Sequence, residues 1–163
     1  MKLPTLVSTG GSSGAGLAGA LPPSFGELGP SLTYLNLSSN RITSLPTELG
    51  ALTGMKELRL NSNAITSLPT EIGTLTGLTY LDLPSNAITS VPSELGALTG
   101  LVILDLSANQ LTGVPTEFRT WGPSSYCTLS DNDPGFSCAN VGFGTSCCTA
   151  DNCGDTSTCY GSP

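Results

Sequence analysis

Apolar and polar positions repeat with a period of 23 residues from residue 32 onwards. In each period, a stretch such as residues 34–37 alternates between polar residues and leucine. This alternation predicts a short β-strand whose leucines all point to one face. In the second half of the period, Leu45, Leu49 and Leu52 have the spacing of one face of a helical turn. Because this half is brief, it predicts a 3₁₀ or α turn and not a long helix.

The residues around the predicted helical turn agree with this interpretation. We expect Pro46 at the first helical position, where the missing N–H of proline is not needed, and Glu48 in the first turn, where the helix dipole favours an anion. We expect Gly54, Gly77 and Gly100 to form the turn into the next strand. Each period therefore predicts one strand followed by one helical segment.

Complete periods span residues 32–54, 55–77, 78–100 and 101–123, and a fifth begins at Ser124. Residues 17–28 resemble the second half of a period that lacks its strand half. A single period cannot bury its own leucines, so neighbouring periods must stack with their strands in a parallel sheet. Each buried Leu or Ile then stabilises the fold by roughly 1.5–3 kcal/mol.

An asparagine closes the strand half of each period and recurs every 23 residues. The members of this predicted structural ladder are Asn40, Asn63, Asn86, Asn109 and Asn132. The turns that follow the strands have no sheet partners, so an inward Asn can donate to and accept from their backbone groups. Loss of one such side chain is expected to cost about 1–3 kcal/mol.

The consensus L-x-x-L-x-L-x-x-N-x-I-T-S-L-P-x-E-L-G-x-L-T-G over residues 32–132 resembles the leucine-rich-repeat superfamily. The run at 65–73 is most similar to the Ras-group class, and residues 17–28 resemble the plant-type extracellular class with its L-x-G-x-I-P-x-x-L-G-x-L pattern. The resemblance implies an α/β solenoid. Its features would be an arc with a parallel concave β-sheet, short 3₁₀/α turns on the convex side and a disulfide-rich C-terminal cap. It also implies protein–protein recognition on the concave sheet, as in receptor-like signalling proteins.

The predicted domain organisation has three parts. Residues 1–16 form a disordered Gly/Ser-rich segment. Residues 17–132 form the solenoid, with a partial first repeat, four full repeats and a partial fifth. Residues 133–163 form a Cys-rich cap that covers the open end of the solenoid, because exposed terminal repeats need a cap for solubility.

The cysteines are confined to the C-terminal part of the chain, which is rich in Gly, Ser and Asp. They are Cys127, Cys138, Cys147, Cys148, Cys153 and Cys159. An even number at such positions favours disulfides and an oxidising compartment over a zinc site, whose ligands usually follow C-x₂₋₄-C spacing. Cys127 takes a leucine position and is expected to be buried, with Cys138 as its expected partner, although 15 pairings are open.

The predicted location is extracellular or at the cell surface. A cytoplasmic location is the alternative, since the apolar run at residues 3–7 is shorter than the usual signal-peptide core of about 7–15 residues. No stretch approaches the ~20 apolar residues of a membrane span.

The net charge of −7 and the five Lys and Arg residues oppose binding to nucleic acids or to anionic membranes. The chain has no histidine, so a Ser-His or Cys-His nucleophile pair cannot form. We expect no enzyme activity and no cofactor. A pairing of Glu57 with Asp82 or Asp105 for glycoside hydrolysis is a further hypothesis, although nothing in the sequence predicts a cleft.

Two groups of oxygen-bearing side chains have some features of metal sites. Glu48, Glu71, Glu94 and Glu117 form a column on the helical side, which is typical of exposed, screened carboxylates in the first turn of a helix. Residues 131–135 contain Asp and Asn but lack the further ligands, ending in Glu, of a calcium loop. No metal site is therefore predicted.

The strand positions between the leucines vary, although the rest of the period repeats almost unchanged. Stacking would align them as columns on the outward face of the sheet. We predict that a ligand binds there. The columns are Tyr34, Glu57, Tyr80, Ile103 and Tyr126; then Asn36, Arg59, Asp82, Asp105 and Thr128; and then Ser38, Asn61, Pro84, Ser107 and Ser130. Tyrosines provide contact area at low entropic cost, and the charged residues provide polar specificity. The alternative is that these are ordinary solvated residues that diverged after duplication.

The predicted function is a non-enzymatic protein–protein recognition module that binds a protein or peptide on the concave face. The alternative is a structural or cell-surface protein, such as a fragment of a longer receptor or of a wall-associated protein, that contacts carbohydrate or self-assembles. Asn36 lies in the only N-glycosylation sequon, Asn36-Leu37-Ser38, and a glycan there would block part of the proposed face. The oligomeric state is left open.

Overall fold

The computed structural model describes residues 13–120 and 126–136. Short strands alternate along the chain with 3₁₀ helices. The strands are β1 (Ala18–Ala20), β2 (Tyr34–Asn36), β3 (Arg41–Ser44), β4 (Glu57–Arg59), β5 (Tyr80–Asp82), β6 (Ile103–Asp105) and β7 (Tyr126–Thr128). The helices are η1 (Pro23–Leu28), η2 (Thr47–Ala51), η3 (Thr70–Thr74), η4 (Ser93–Ala97) and η5 (Thr116–Thr120).

The main sheet contains one strand from each repeat, in the order β2-β4-β5-β6-β7, and every neighbouring pair is parallel. The register advances by one whole repeat at each step, so that Leu35, Leu58, Leu81 and Leu104 lie side by side. The predicted solenoid with parallel strands is therefore confirmed. This register places the first two predicted outward columns on consecutive strands of one sheet.

A second, two-stranded sheet pairs β1 with β3 in parallel and was not predicted. Its two strands are joined by hydrogen bonds from the Arg41 N–H to the Leu17 carbonyl (2.7 Å) and from the Leu21 N–H to the Ser44 carbonyl (3.1 Å). The register shifts between Gly19 and Ala20. The partial first repeat thus lies against the first full repeat through its own backbone.

The core lies between the main sheet and the helices and consists almost entirely of the repeated aliphatic positions. The strand leucines and the first-turn residues Leu49, Ile72 and Leu95 are at most 1% exposed. Two phenylalanines, Phe25 and Phe118, fill the equivalent helical position in the first and last helices and are equally buried. Each repeat therefore buries its apolar face against its neighbours, as the stacking argument requires.

The helical halves are 3₁₀ helices, and the expected position of the proline is wrong by one residue. Pro46 is extended, with φ −76° and ψ 152°, and serves as the N-cap of η2, which begins at Thr47. Pro69 and Pro92 do the same for η3 and η4. Glu48 lies in the first turn, as expected. The extended proline directs the chain from the strand side of the repeat into the helix.

Gly54, Gly77 and Gly100 lie in the turns that lead to the next strands, as expected, but none of them has a left-handed φ. Gly54 is also required for close packing, because a Cβ there would lie 1.8 Å from the Pro30 carbonyl oxygen. The left-handed conformation occurs at the residue before each ladder asparagine, with φ between 51° and 57°. These residues are Ser39, Ser62, Ser85, Ala108 and Asp131.

A different glycine column sets the spacing of the helices. A Cβ at Gly73 would lie 2.6 Å from the backbone oxygen of Glu94 in the next repeat, and one at Gly96 would lie 2.6 Å from the Cβ of Glu117. Gly26 and Gly50 make equivalent contacts with the next repeat. Because the nearest atoms include backbone, they cannot move away easily, so any side chain here would push neighbouring repeats apart.

Several predictions concern residues outside the described parts of the chain. These are the disorder of residues 1–12 and nearly all of the Cys-rich cap, from residue 137 onwards. Of the cysteines, only Cys127 is described; it is 5% exposed, as expected, and is not a free thiol. The disulfide pairings remain predictions. Within the described ranges, the helices are all too short and insufficiently apolar to cross a membrane.

Candidate functional site

The ladder asparagines turn inward and hold consecutive repeats together. The Asn86 side chain accepts a hydrogen bond from the Ile65 N–H (3.0 Å) of the preceding repeat. It donates to the carbonyl of Leu60 in that repeat (3.1 Å) and to that of Leu83 in its own (3.0 Å). Asn63, Asn109 and Asn132 make the same set of contacts one repeat earlier or later.

At the first repeat the pattern changes, since Asn40 accepts from the Leu17 N–H (2.9 Å) and donates to the Leu37 carbonyl (2.9 Å) and the Ser38 carbonyl (3.1 Å). The ladder thus satisfies the backbone beyond the end of each strand. The outward columns add to this only the backbone carbonyls of the third column and the side chains of Asn36 and Asp105, each of which accepts one N–H of its own turn.

The outward face of the main sheet holds the first two predicted columns in strict register. Tyr34, Glu57, Tyr80, Ile103 and Tyr126 are partners across the sheet, and so are Asn36, Arg59, Asp82, Asp105 and Thr128. Most of these side chains are partly exposed, while the leucines between them are buried. Tyr126 is 74% exposed and is one of only two large apolar side chains in the described chain with such exposure. The structure therefore brings the predicted residues together on one solvent-facing surface.

Arg59 is held between the two columns by its neighbours. Its Nε donates to the Glu57 carboxylate at 2.5 Å, and its guanidinium lies 5.2 Å from the centre of the Tyr80 ring. The hydrogen bond to Glu57 is the main reason that the pKa of Arg59 is raised, so the guanidinium stays charged. A guanidinium over an aromatic face is a cation–π contact. Arg59 therefore neutralises Glu57 and has a fixed position, instead of extending freely into solvent.

Asp105 and Asn36 share a local hydrogen-bonding arrangement with the serine two residues later. Asp105 Oδ1 accepts from the Ser107 N–H (2.9 Å) and the Ser107 hydroxyl (2.6 Å). Asn36 Oδ1 accepts from the Ser38 N–H (3.0 Å) and hydroxyl (2.7 Å). The serine fixes the side chain of the outward residue and leaves the second polar atom of its head group directed away from the turn.

Asp82 cannot form this arrangement, because the residue two positions later is Pro84 and not serine. Proline has neither an N–H nor a hydroxyl to donate. Burial is the main reason that the pKa of Asp82 is raised, followed by the negative charge of Asp105; the positive charge of Arg59 acts in the opposite direction. Burial and then the Asp82 charge also raise the pKa of Tyr80. Asp82 is thus a half-buried carboxylate without a local donor from its own turn.

The opposite surface carries the four glutamates of the helical column. Each accepts a hydrogen bond from the hydroxyl that precedes it, as Glu48 does from Thr47 at 3.1 Å. These pairs are on exposed residues. No group of three or more potential metal ligands occurs within residues 13–120 and 126–136. In the loop after β7, Asp133 Oδ1 accepts from the Gly135 N–H at 2.7 Å.

The candidate glycosylation site lies at the N-terminal end of the outward face. Asn36 is the last residue of β2, and Ser38, the third residue of the sequon, is 7% exposed. The Ser38 hydroxyl also lies 3.1 Å from that of Ser13. The side-chain nitrogen of Asn36 is the group to which a glycan would be attached.

Sequence reasoning missed the consequence of Pro84 and the contact between Arg59 and Tyr80. The first had a signal, since Asn36-x-Ser38 and Asp105-x-Ser107 have the spacing of a side-chain-to-backbone turn and Pro84 interrupts it. The contact between Arg59 and Tyr80 had no signal in the sequence, because side-chain conformation decides whether a guanidinium covers the ring on the adjacent strand.

The strands of the main sheet are parallel and follow one another at the spacing of one repeat. Stacked asparagines and 3₁₀ helices cover the inner side of the sheet. These features define a repeat solenoid that presents one sheet face. A family profile described as leucine rich repeat matches residues 30–88 and 53–111. The chain belongs to the leucine-rich repeat family. No curated protein sequence matches it.

Several solved structures that are similar to this chain are ectodomains of plant proteins, among them receptor kinases. The LRR ectodomain of the membrane receptor kinase GASSHO1/SCHENGEN3 from Arabidopsis thaliana, in complex with CASPARIAN STRIP INTEGRITY FACTOR 2, is 34% identical with a TM-score of 0.66. The HAESA ectodomain of Arabidopsis, in complex with an extended IDA peptide hormone, is 35% identical with a TM-score of 0.60. The BIR2 ectodomain from Arabidopsis thaliana is 26% identical with a TM-score of 0.63.

The matched part differs greatly in relative size. The alignments cover 74%, 71% and 81% of this chain. They cover 15% of the GASSHO1/SCHENGEN3 chain, 20% of the HAESA chain and 70% of the BIR2 chain. The chain therefore spans a small part of the first two receptors, and the likeness concerns the repeat scaffold.

Proposed function

We propose that this chain is a non-enzymatic recognition module that binds a protein or peptide ligand on the outward, concave face of its main sheet. The observation that carries the proposal is the separation of roles between residues. The leucines, glycines and ladder asparagines build the scaffold. The outward columns take little part in it and place tyrosine, charged and small polar side chains on rigid strands. A fixed framework with a variable face is the requirement of a recognition surface.

The chemistry of the face supports a polypeptide partner. Tyr126 offers a large exposed ring, and Tyr80 and Ile103 lie in the same column on the two preceding strands. Aromatic residues beside charged groups are typical of the centres of protein interfaces. Two of the matched receptor ectodomains are complexes, one with CASPARIAN STRIP INTEGRITY FACTOR 2 and the other with a peptide hormone, which agrees with this class of ligand.

A peptide library displayed on phage tests the proposal without requiring that the ligand be identified beforehand. The wild-type chain would be used for selection, and enriched peptides would be synthesised for fluorescence-anisotropy titrations. We expect the Tyr80→Ala/Arg59→Ala variant to fold normally but to bind at least ~10-fold more weakly, as for the loss of central interface residues. A matched variant on the helical side, Thr70→Ala/Glu71→Ala, should keep the wild-type Kd.

The opposite pattern would refute the concave face as the binding surface. Enriched peptides that bind the Tyr80→Ala/Arg59→Ala variant as tightly as wild type would contact another surface. Circular dichroism of both variants provides the control for folding.

An extracellular or cell-surface location and a disulfide-stapled C-terminal cap complete the proposal. Cys127 is buried and is not a free thiol, and the matched structures are receptor ectodomains. Mass spectrometry of the secreted protein after thiol alkylation should detect no free cysteine, and reduction should lower its thermal stability. Six alkylated cysteines in a protein that is still folded would contradict the cap and the oxidising location.

A further inference from the structure

We propose that the partner carries a basic side chain, an arginine or a lysine, that binds between Asp82 and Asp105 on the concave face. This inference rests on the proposed function and specifies the chemistry of the ligand at that same face. The two aspartates are register partners on β5 and β6, so their backbones lie about one strand spacing apart, roughly 4.8 Å. One cation can therefore reach both carboxylates.

The charges of the face compensate this pair only in part, through the positive charge of Arg59 near Asp82. The first two columns contain three acidic residues, Glu57, Asp82 and Asp105, and a single cation, Arg59. The Arg59 Nε is already bonded to Glu57, and its guanidinium lies over the Tyr80 ring. Lys56 precedes the strand, and its ammonium group lies close to Gly77. The negative charge at β5 and β6 is thus complementary to a further cation, which none of the described side chains places there.

The hydrogen bonds of the two aspartates point to the same conclusion. Asp105 uses Oδ1 for both donors of Ser107, which orients the carboxylate and leaves Oδ2 outside the turn. Pro84 removes the corresponding donors from Asp82. The Asp105 carboxylate is therefore held in place, and the Asp82 carboxylate has both oxygens outside any turn. Together the two carboxylates are suitable acceptors for a guanidinium.

The neighbouring column suits the rest of such a side chain. Three residues of the first column lie beside the aspartates. Tyr80 and Ile103 come two residues before Asp82 and Asp105 on the same strands, and Tyr126 lies on the next strand, β7. The aliphatic part of an arginine or lysine packs on apolar surface while its head remains at the carboxylates. The exposed ring of Tyr126 offers the cation an attraction of the kind that Tyr80 already has for Arg59.

The test uses peptides enriched from the displayed library on the wild-type chain. Each peptide would be resynthesised with citrulline in place of arginine, or norleucine in place of lysine. Kd values would be measured for wild type, Asp82→Asn and Asp105→Asn at low and high salt. Glu71→Gln is the matched control, because it removes one negative charge from the helical side. Both Asp→Asn changes keep the shape of the side chain, and circular dichroism verifies folding.

We expect one basic position to be enriched, and its neutral replacement to weaken binding to wild type by at least ~10-fold. The same replacement should have a clearly smaller effect in the Asp82→Asn background and in the Asp105→Asn background, because one of the two partner charges is already absent in each. Glu71→Gln should change the Kd less than twofold. A loss that depends on both partners in this way is not produced by a merely structural effect of the variant.

Three outcomes would overturn the inference. Peptides that bind the concave face without a basic residue would refute the cationic partner and leave the proposed function intact. The same holds if peptides with citrulline or norleucine bind with the same Kd as the original peptides. Binding of Ca²⁺ from added calcium chloride at Asp82 and Asp105, without binding of the arginine peptides there, would assign the pair to a metal ion. Peptides that bind the Tyr80→Ala/Arg59→Ala variant as tightly as wild type would overturn both proposals.

Discussion

Replacement of Asn86 by alanine removes one rung of the ladder in the middle of the solenoid. Its consequences can be counted from the contacts. The Ile65 N–H loses its acceptor, and Ile65 is fully buried. The Leu60 carbonyl retains a second donor from Asn63, and the Leu83 carbonyl retains one from Asn109. Among the close contacts, one buried donor is therefore left unsatisfied, and two carbonyls lose one of their two partners. The Pro84 carbonyl loses only a long contact of 3.4 Å and keeps the Ser62 N–H as its donor.

The expected cost follows from these three groups. An unsatisfied buried N–H costs about 1–3 kcal/mol, whereas a carbonyl that keeps one donor loses a smaller amount. We expect Asn86→Ala to lower the free energy of unfolding by roughly 2–4 kcal/mol. Asn86→Asp should be at least as harmful at neutral pH, because it keeps the acceptor for Ile65 but directs a carboxylate oxygen at the carbonyls of Leu60 and Leu83.

Urea denaturation followed by far-ultraviolet circular dichroism measures these differences. Asn61→Ala is the matched control, because Asn61 lies two residues before Asn63 on the outward face and its side chain makes no hydrogen bond among the residues described. The control should lie within about 0.5 kcal/mol of wild type, as is usual for surface positions. If Asn86→Ala were no more destabilising than Asn61→Ala, the ladder would not satisfy the backbone in the way described.

Three further predictions concern the glycine spacing, the left-handed residues and Asp82. Gly73→Ala should cost about 1–3 kcal/mol by calorimetry, because its Cβ would lie 2.6 Å from a backbone oxygen, whereas Gly100→Ala, with its nearest atom at 3.7 Å, should be tolerated. Ala108→Gly should raise stability by roughly 0.5–1 kcal/mol in urea denaturation, since Ala108 has φ 51°; no gain would contradict strain there. Asp82→Asn should raise the melting temperature at pH 7, because a raised pKa means that the fold disfavours the carboxylate. This gain should disappear as the pH falls through the folded pKa of Asp82, and a gain independent of pH would contradict it.

The fold was largely predictable because the same pattern recurs in every repeat. The alternation around Leu58 and the helical spacing of Leu45 and Leu49 each signal a local structure, and the period then aligns the copies. The second sheet was not predictable, since it depends on the partial first repeat lying against Arg41–Ser44. Four of the five left-handed residues were missed because serine and alanine carry no signal for that conformation, which neighbouring hydrogen bonds impose. Only Asp131 is of a type that adopts it more often.

The composition of the candidate face was predictable, but its electrostatics were not. Register alone places Glu57, Arg59, Tyr80, Asp82 and Asp105 on adjacent strands. Whether Arg59 turns towards Glu57 or towards Asp82 depends on side-chain geometry, and this choice decides which carboxylate is neutralised. The structure directs the Arg59 Nε to Glu57 and so leaves the negative charge one strand further along.

The ladder explains why such a face is able to diverge between repeats. Asn86 and its equivalents satisfy the turn backbone from inside the solenoid, so a residue in the outward turn is free to change. Pro84 is the instructive case, because proline removes two donors from the position that Ser107 occupies in the next repeat. The Pro84 carbonyl still accepts from the Ser62 N–H at 2.9 Å, and the repeat still packs. The change therefore acts on the outward carboxylate of Asp82 and leaves the scaffold intact, as expected for a position where recognition and folding are separated.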